Sequence, residues 1–350
     1  MQQVVDEGRR DGEDGEKPVS DRRSGGSGTD GAVAMNASAV ECDPGRARLK
    51  YLFGEFLVLD LRLPALICRV PFPPAVNFAC LPEHLISKVA NSAVTITAPS
   101  WPLSRAQRKL SIAGRYLLYI PAIKPRYFIS LTGTFEEYLA KTFQSKTRKN
   151  ILRTVRKLEA DDSEFRICRT VPEMEIFLSR AKQISARTYQ TTMLGVGLPA
   201  SQEFHQSTLE GARSGGVRGY LLSYKQQPAA FAYCECKDPT LLYSIIGYDP
   251  QFAALSPGTV LLYYIVRHLF DEHRFQWLDF GIGESQYKST FGTDFRTCGD
   301  VYLFPLGPRG LAIALSHWAL DSSSALLGKL LESIGVKARV RKWLRAGRLG

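Results

Sequence analysis

The sequence predicts an α+β fold in which a mixed central sheet is flanked by helices. Residues 164–304 read in order as β-α-α-β-β-β-α-β-α-β, an antiparallel meander joined by one crossover helix. That order is neither a doubly wound nor a barrel pattern. Within it, an apolar β-prone run at 241–247 leads through Tyr248-Asp249-Pro250 to Leu-Ser-Pro-Gly-Thr at 255–259. A helical stretch follows, with apolar residues at 261, 262, 265, 266, 269 and 270. Ser256 reads as its N-cap and Pro257 as its first residue, where a missing N–H costs nothing. A strand therefore delivers the chain to an open helix N-terminus, which suits anionic oxygen.

Taken in order, residues 1–47 hold ten acidic and six basic residues among Gly and Ser, with few aromatics. They cannot bury enough surface to offset ordering entropy and are expected to form a disordered acidic tail. Their net charge is −4 against +11 for the chain, so the remainder carries +15. A body this basic points to an anionic ligand, a nucleic acid or a membrane surface. Residues 48–130 read as a small β-rich domain broken into short pieces by prolines, with strands at 53–63, 93–98 and 116–120 and a short helix at 82–90. Thr134-Phe-Glu-Glu137 is a capping box that opens a long helix running to Glu159, with a break or turn near Ser145. Along it Lys141, Lys146, Arg148, Lys149, Arg153, Arg156 and Lys157 meet no acid before Glu159.

The strand at 164–170 is followed by helices at 172–189 and 201–213 and by strands at 217–224, 228–236 and 241–247. After the helix from Pro257 come a strand at 276–280, a helical or loop segment at 283–291 and a last strand at 300–304. Residues 131–306 thus read as the main domain. Residues 307–350 read as a basic helical tail, helical at 311–320 and 325–334 and acid-free over 336–350.

No apolar run reaches the roughly 18–20 residues that span a bilayer, and the N-terminus has no apolar signal-peptide core. The expectation is a cytoplasmic enzyme without a transmembrane segment. Its basic C-terminal tail, with Trp343 and Leu344 among the arginines, is suited to peripheral contact with the anionic inner membrane face. The seven cysteines are scattered and include no Cys-x-x-Cys pair, so reduced thiols are expected. The five histidines show no metal-ligand spacing, and no metal is expected.

The element order resembles the GNAT acyltransferase superfamily, and more narrowly the GNAT-like branch of the cellulose-biosynthesis (CelD) type, related to the Fem-type peptidyltransferases. The residues behind this are Lys-Thr-Arg-Lys-Asn at 146–150, Gly247-Tyr248-Asp249, Ser256-Pro-Gly-Thr259, Asp279-Phe-Gly281 and Tyr287-Lys-Ser-Thr-Phe-Gly292. The resemblance covers about 130–305 and implies a GNAT-like mixed sheet. It also implies a tandem in which 48–130 is a degenerate first half. One departure stands out: the usual Gln/Arg-x-x-Gly-x-Gly/Ala pyrophosphate loop places Ala253 and Ser256 where Gln/Arg and the first Gly belong.

The resemblance implies a cosubstrate, acetyl-CoA or another acyl-CoA, and an amine acceptor, a small molecule or amino sugar of polysaccharide or envelope biosynthesis. The N–H groups of Gly258, Thr259 and Val260, with Ser256, are candidates for its phosphates. Backbone groups at Ile245 and Gly247 are candidates for polarising the thioester carbonyl. Asp279 and Glu284 are candidate general bases, Tyr248 and Tyr287 candidate donors to the leaving thiolate, and Lys288 a cation for developing negative charge. Two alternatives stand beside this one: Fem-like aminoacyl transfer from charged tRNA, and a non-catalytic binding or scaffold protein on a degenerate GNAT fold.

Overall fold

The computed structural model describes residues 41–54, 56–69, 94–103, 108–192 and 197–333. The chain divides into two compact units, one containing Pro125–Phe295, the other the described parts of Met35–Lys124 and Arg296–Gly350.

The Pro125–Phe295 unit is built on six strands in the order β6-β11-β10-β9-β8-β7. These are β6 (Ile123–Ser130), β7 (Ser163–Cys168), β8 (Val217–Tyr224), β9 (Gln227–Lys237), β10 (Thr240–Tyr248) and β11 (Trp277–Ile282). All neighbours are antiparallel except β10 and β11. Each central strand alternates between two helical layers, as period-2 side-chain placement requires. Tyr220, Leu222, Ala230, Ala232 and Cys234 meet helices α1 (Phe135–Thr142), α2 (Ser145–Ala160) and α5 (Pro257–Glu272). Leu221, Phe231 and Tyr233 meet α3 (Val171–Thr192) and α4 (Gln202–Arg213). The long helix read from 134 to 159 is two helices, broken at Phe143-Gln144. Its capping box forms as expected: Thr134 Oγ1 accepts from the Glu137 N–H and Glu137 reaches back to the Thr134 N–H.

The second unit contains β1 (Glu41–Phe53), β2 (Phe56–Arg69), β3 (Thr95–Pro102), β4 (Leu110–Ala113), β5 (Tyr116–Tyr119), β12 (Asp294–Pro305) and helix α7 (Pro308–Ser333). β1 pairs antiparallel with β2, β2 parallel with β3, and β12 antiparallel with both β3 and β5. α7 covers one face, with Ala314 and His317 buried against Leu49, Tyr51, Tyr119 and Phe304.

Several expectations change here. Residues 41–47 are strand, because Ala47, Leu49 and Tyr51 alternate inward and pair across to β2. The strand expected at 53–63 is found from Phe56 on as the first part of β2, while its start is a hairpin corner, with Gly54 at φ +60 between β1 and β2. Cys42 and Cys68, opposite each other in that register, are joined by a disulfide, so the expectation of reduced thiols fails for this pair. The two tail helices are one over Pro308–Ser333, packed on β1, so this helix belongs with the N-terminal strands. The helix expected at 82–90, most of the acidic tail and the basic stretch 336–350 lie outside the described residues. Among the described residues, no helix is long and apolar enough to cross a membrane.

Candidate active site

The one parallel pair of the Pro125–Phe295 unit is short. β10 and β11 are in register only at Thr240–Trp277, Leu241–Leu278 and Leu242–Asp279. β10 then continues to Tyr248 against β9 alone, past a register shift between Tyr243 and Ile245. From Tyr243 onward, one side of its main chain faces the space that β11 has left.

The hydrogen-bond register decides which residues face that space. The Asp249 N–H donates to the Ala229 carbonyl at 2.8 Å, and antiparallel bonding alternates along a strand. Gly247 and Ile245 therefore bond towards β9, while Ile246 and Tyr248 turn their N–H and C=O the other way. The main-chain groups on the open side are thus those of Ile246 and Tyr248, while those of the expected pair Ile245 and Gly247 are turned to β9. Gly247 is small for another reason: a Cβ there would stand 2.5 Å from Cε1 of Phe231.

Beyond β10, a 3₁₀ turn at Pro250–Leu255 leads into α5. Ser256 is not an N-cap in the usual sense. It adopts φ 47 and ψ 50, the left-handed region that normally favours glycine, and its side chain makes no capping bond. The loop thus keeps a glycine-like bend at the position where the usual motif has Gly. Of the three expected N–H donors, Thr259 and Val260 are committed to the Ser256 carbonyl, at 3.0 and 3.2 Å. Gly258 remains as the donor without such a bond, and a Cβ on it would meet only Cδ1 of Tyr248, at 3.9 Å. The turn is anchored by Asp249, which is 2% exposed, accepts from the Gln251 N–H at 3.0 Å and is ion-paired to Arg187.

Asp279 lies where β11 parts from β10. It is 1% exposed and its two oxygens are held by the Arg126 guanidinium of β6, with Nε at 3.1 Å from each. Its Oδ1 also accepts from the Gly281 N–H at 2.8 Å. Lys288, on the short helix α6 (Gln286–Phe291), is equally buried and donates to the carbonyls of Gly281 and Ile282 at 3.3 Å each. Burial pulls its amine down to about 8, against the opposing pull of Asp279 and with a further downward push from Arg126. α6 is fixed at its far end by Tyr138, whose hydroxyl donates to the Phe291 carbonyl at 2.7 Å. Tyr287 packs edge-on against Tyr243 and Phe280, and burial pushes its phenol up to about 12. Glu284 is exposed, and Tyr248 is 39% exposed.

The structure brings Asp279, Lys288 and Tyr287 together about the end of β11, and Tyr248 beside Gly258 at the start of α5. The sequence reading missed Arg126 and Arg187, single bases in unremarkable settings whose carboxylate partners lie 153 and 62 residues further along.

A mixed sheet whose parallel pair opens beside a helix N-terminus, flanked by helices on both faces, is the GNAT-like α+β architecture. Residues 145–289 match the family model described as "Acetyltransferase (GNAT) domain". No curated protein matches. Among solved structures, the chain is similar to the C-terminal (DUF2156) domain of an Agrobacterium fabrum protein described as a lysylphosphatidylglycerol synthetase (10% identity, 81% of this chain and 86% of that one, TM-score 0.49). It is also similar to FemX (10% identity, 77% and 90%, TM-score 0.48). A third similar structure is a tandem GNAT protein from the clavulanic acid biosynthesis pathway (15% identity, 78% and 86%, TM-score 0.35).

Proposed function

We propose that the protein is an N-acyltransferase that moves an acyl group, acetyl in the simplest case, from an acyl-CoA to an amine acceptor by direct attack. The observation behind this reading is the parting of β10 and β11 beyond Leu242 and Asp279, next to the first turn of α5. An extended pantetheine arm would lie along the open side of β10, with the main chain of Ile246 as its partner. The Gly258 N–H would meet a phosphate oxygen.

The acceptor nitrogen attacks the thioester carbonyl carbon, the C–S bond breaks, and the sulfur leaves as thiolate. Lys288 supplies positive charge for the oxyanion in a buried setting, where such charge acts most strongly. Tyr287, protonated throughout the neutral range, and Tyr248 are the donors proposed for the thiolate. Glu284 is the preferred base, since both oxygens of Asp279 are already engaged by Arg126 and the Gly281 N–H. Asp279 is better cast as the group that orients Arg126 and tunes Lys288. The acceptor class, an amino sugar or small amine of polysaccharide or envelope synthesis as in the CelD-type branch, is part of the proposal.

A panel of acyl-CoAs in a thermal-unfolding assay tests it, because a ligand of the native state raises apparent stability. Protection by acetyl-CoA that is lost in Gly258→Trp supports the reading; no protection by any acyl-CoA overturns it.

A second reading, Fem-like aminoacyl transfer from charged tRNA, is favoured by α1 and α2. Lys141, Lys146, Lys149, Arg153, Arg156 and Lys157 are exposed there, and among the described residues none has a carboxylate partner. Salt-sensitive tRNA binding that weakens in a Lys146→Gln/Lys149→Gln/Arg153→Gln variant would select it.

A further inference from the structure

Helix α7 is apolar on two opposite sides. Its inner side, through Gly310, Ala314 and His317, is buried on the strands of its own unit. Its outer side presents Leu311, Leu315, Trp318 and Leu326, spaced by four, three and eight residues and so aligned along one stripe. Trp318 is 50% and Leu326 69% exposed, and Leu327 beside them is 40% exposed. The β1–β2 corner extends the patch, since the Gly54 N–H donates to Ser324 Oγ at 2.7 Å, and the adjoining Leu57, Val58 and Leu59 are all about half exposed or more. A helix side that is apolar is ordinarily covered, and clustered exposed apolar groups of this size mark an interaction surface.

The charge that follows the helix in the sequence points to what covers the stripe. No acidic residue falls on the stripe, and the seventeen residues after α7 hold Lys337, Arg339, Arg341, Lys342, Arg345 and Arg348 with no acid. A second copy seated on this helix by a twofold axis would bring two such basic segments together, on chains that each carry +11. An anionic lipid surface meets both features. Leucine and tryptophan enter the boundary between headgroups and acyl chains while the bases remain at the phosphates. We infer that the outer side of α7, with the β1–β2 corner, docks the protein onto anionic membrane without spanning it.

The test uses the full chain and sedimentation with vesicles of phosphatidylcholine alone or of phosphatidylcholine and phosphatidylglycerol two to one. Expected is partition at least tenfold stronger onto the anionic vesicles, falling tenfold or more in Leu315→Ser/Trp318→Ser/Leu326→Ser with an unchanged melting temperature. As a check that does not depend on that variant folding, brominated acyl chains should quench part of the tryptophan emission, and that part should fall in Trp318→Phe, with Trp343 still present. Equal partition onto both vesicle types, quenching unaltered by Trp318→Phe, or a dimer dispersed by the triple variant without any vesicle binding would each overturn the inference.

Discussion

Arg126 grips Asp279 through both carboxylate oxygens, at the point where β11 leaves β10. Removing one partner of a buried ion pair leaves the other charge without compensation, which typically costs about 3–5 kcal/mol. Asp279→Asn is therefore expected to lower unfolding free energy by roughly that amount, and Arg126→Met/Asp279→Leu by less than the two single changes together. Urea unfolding of the three variants checks this. Additive losses would mean that the pair does not act as a unit.

Lys288 predicts a pH dependence. Its amine sits at about 8 in the folded protein against an ordinary 10.5. The protonated form is thus disfavoured by folding, and the penalty is fully present below pH 8, where both states are protonated. It is relieved as pH rises towards 10.5, where neither is. Stability attributable to this residue should increase across that window by about 3 kcal/mol, at 1.36 kcal/mol per pKa unit. In a comparison with Lys288→Met, any stability advantage of the variant should shrink as pH is raised from 8 to 10.5. A difference independent of pH would show that the amine titrates normally.

The same residue should leave a mark on turnover. If the charged amine stabilises the oxyanion, kcat with acetyl-CoA should fall as pH rises through about 8. Lys288→Met should lose about 10²–10³ in kcat, the usual loss for one oxyanion donor. Rate–pH profiles measured with a fixed amine acceptor decide the matter, and a profile unchanged by the substitution would remove Lys288 from the chemistry.

Gly247 and Gly258 should separate packing from ligand contact. A Cβ at Gly247 would run into the Phe231 ring, so Gly247→Ala should cost about 1–3 kcal/mol in stability. At Gly258 the nearest atom is 3.9 Å away, so Gly258→Ala should fold normally, while Gly258→Trp should abolish protection by acetyl-CoA. Melting curves with and without the cosubstrate test both residues together.

Most elements of the Pro125–Phe295 unit were legible because each is written locally. Apolar β-prone runs mark β8 to β10, a capping box marks α1, and Pro257 marks the start of α5. Lys288 stood out through its motif. What escaped depends on distance along the chain. Arg126 has meaning only beside Asp279, Arg187 only beside Asp249, and Cys42 only opposite Cys68. Main-chain direction escaped as well. Whether Ile245 or Ile246 faces the opening turns on a one-residue phase set by the Asp249–Ala229 bond, which no side-chain pattern records. Ser256 read as a cap because serine usually is one, yet the turn before it rotates it into a conformation where its hydroxyl caps nothing.

A strand with a neighbour on one side only has a spectroscopic consequence. The Ile246 amide points away from β9, so its hydrogen should trade with deuterated solvent sooner than those of Ile245 and Gly247 in the unliganded protein. A guest that adopts an extended form alongside would slow that one site and leave its two flanking sites nearly unaltered. The alternation itself would then report occupancy, residue by residue, before any acceptor is known.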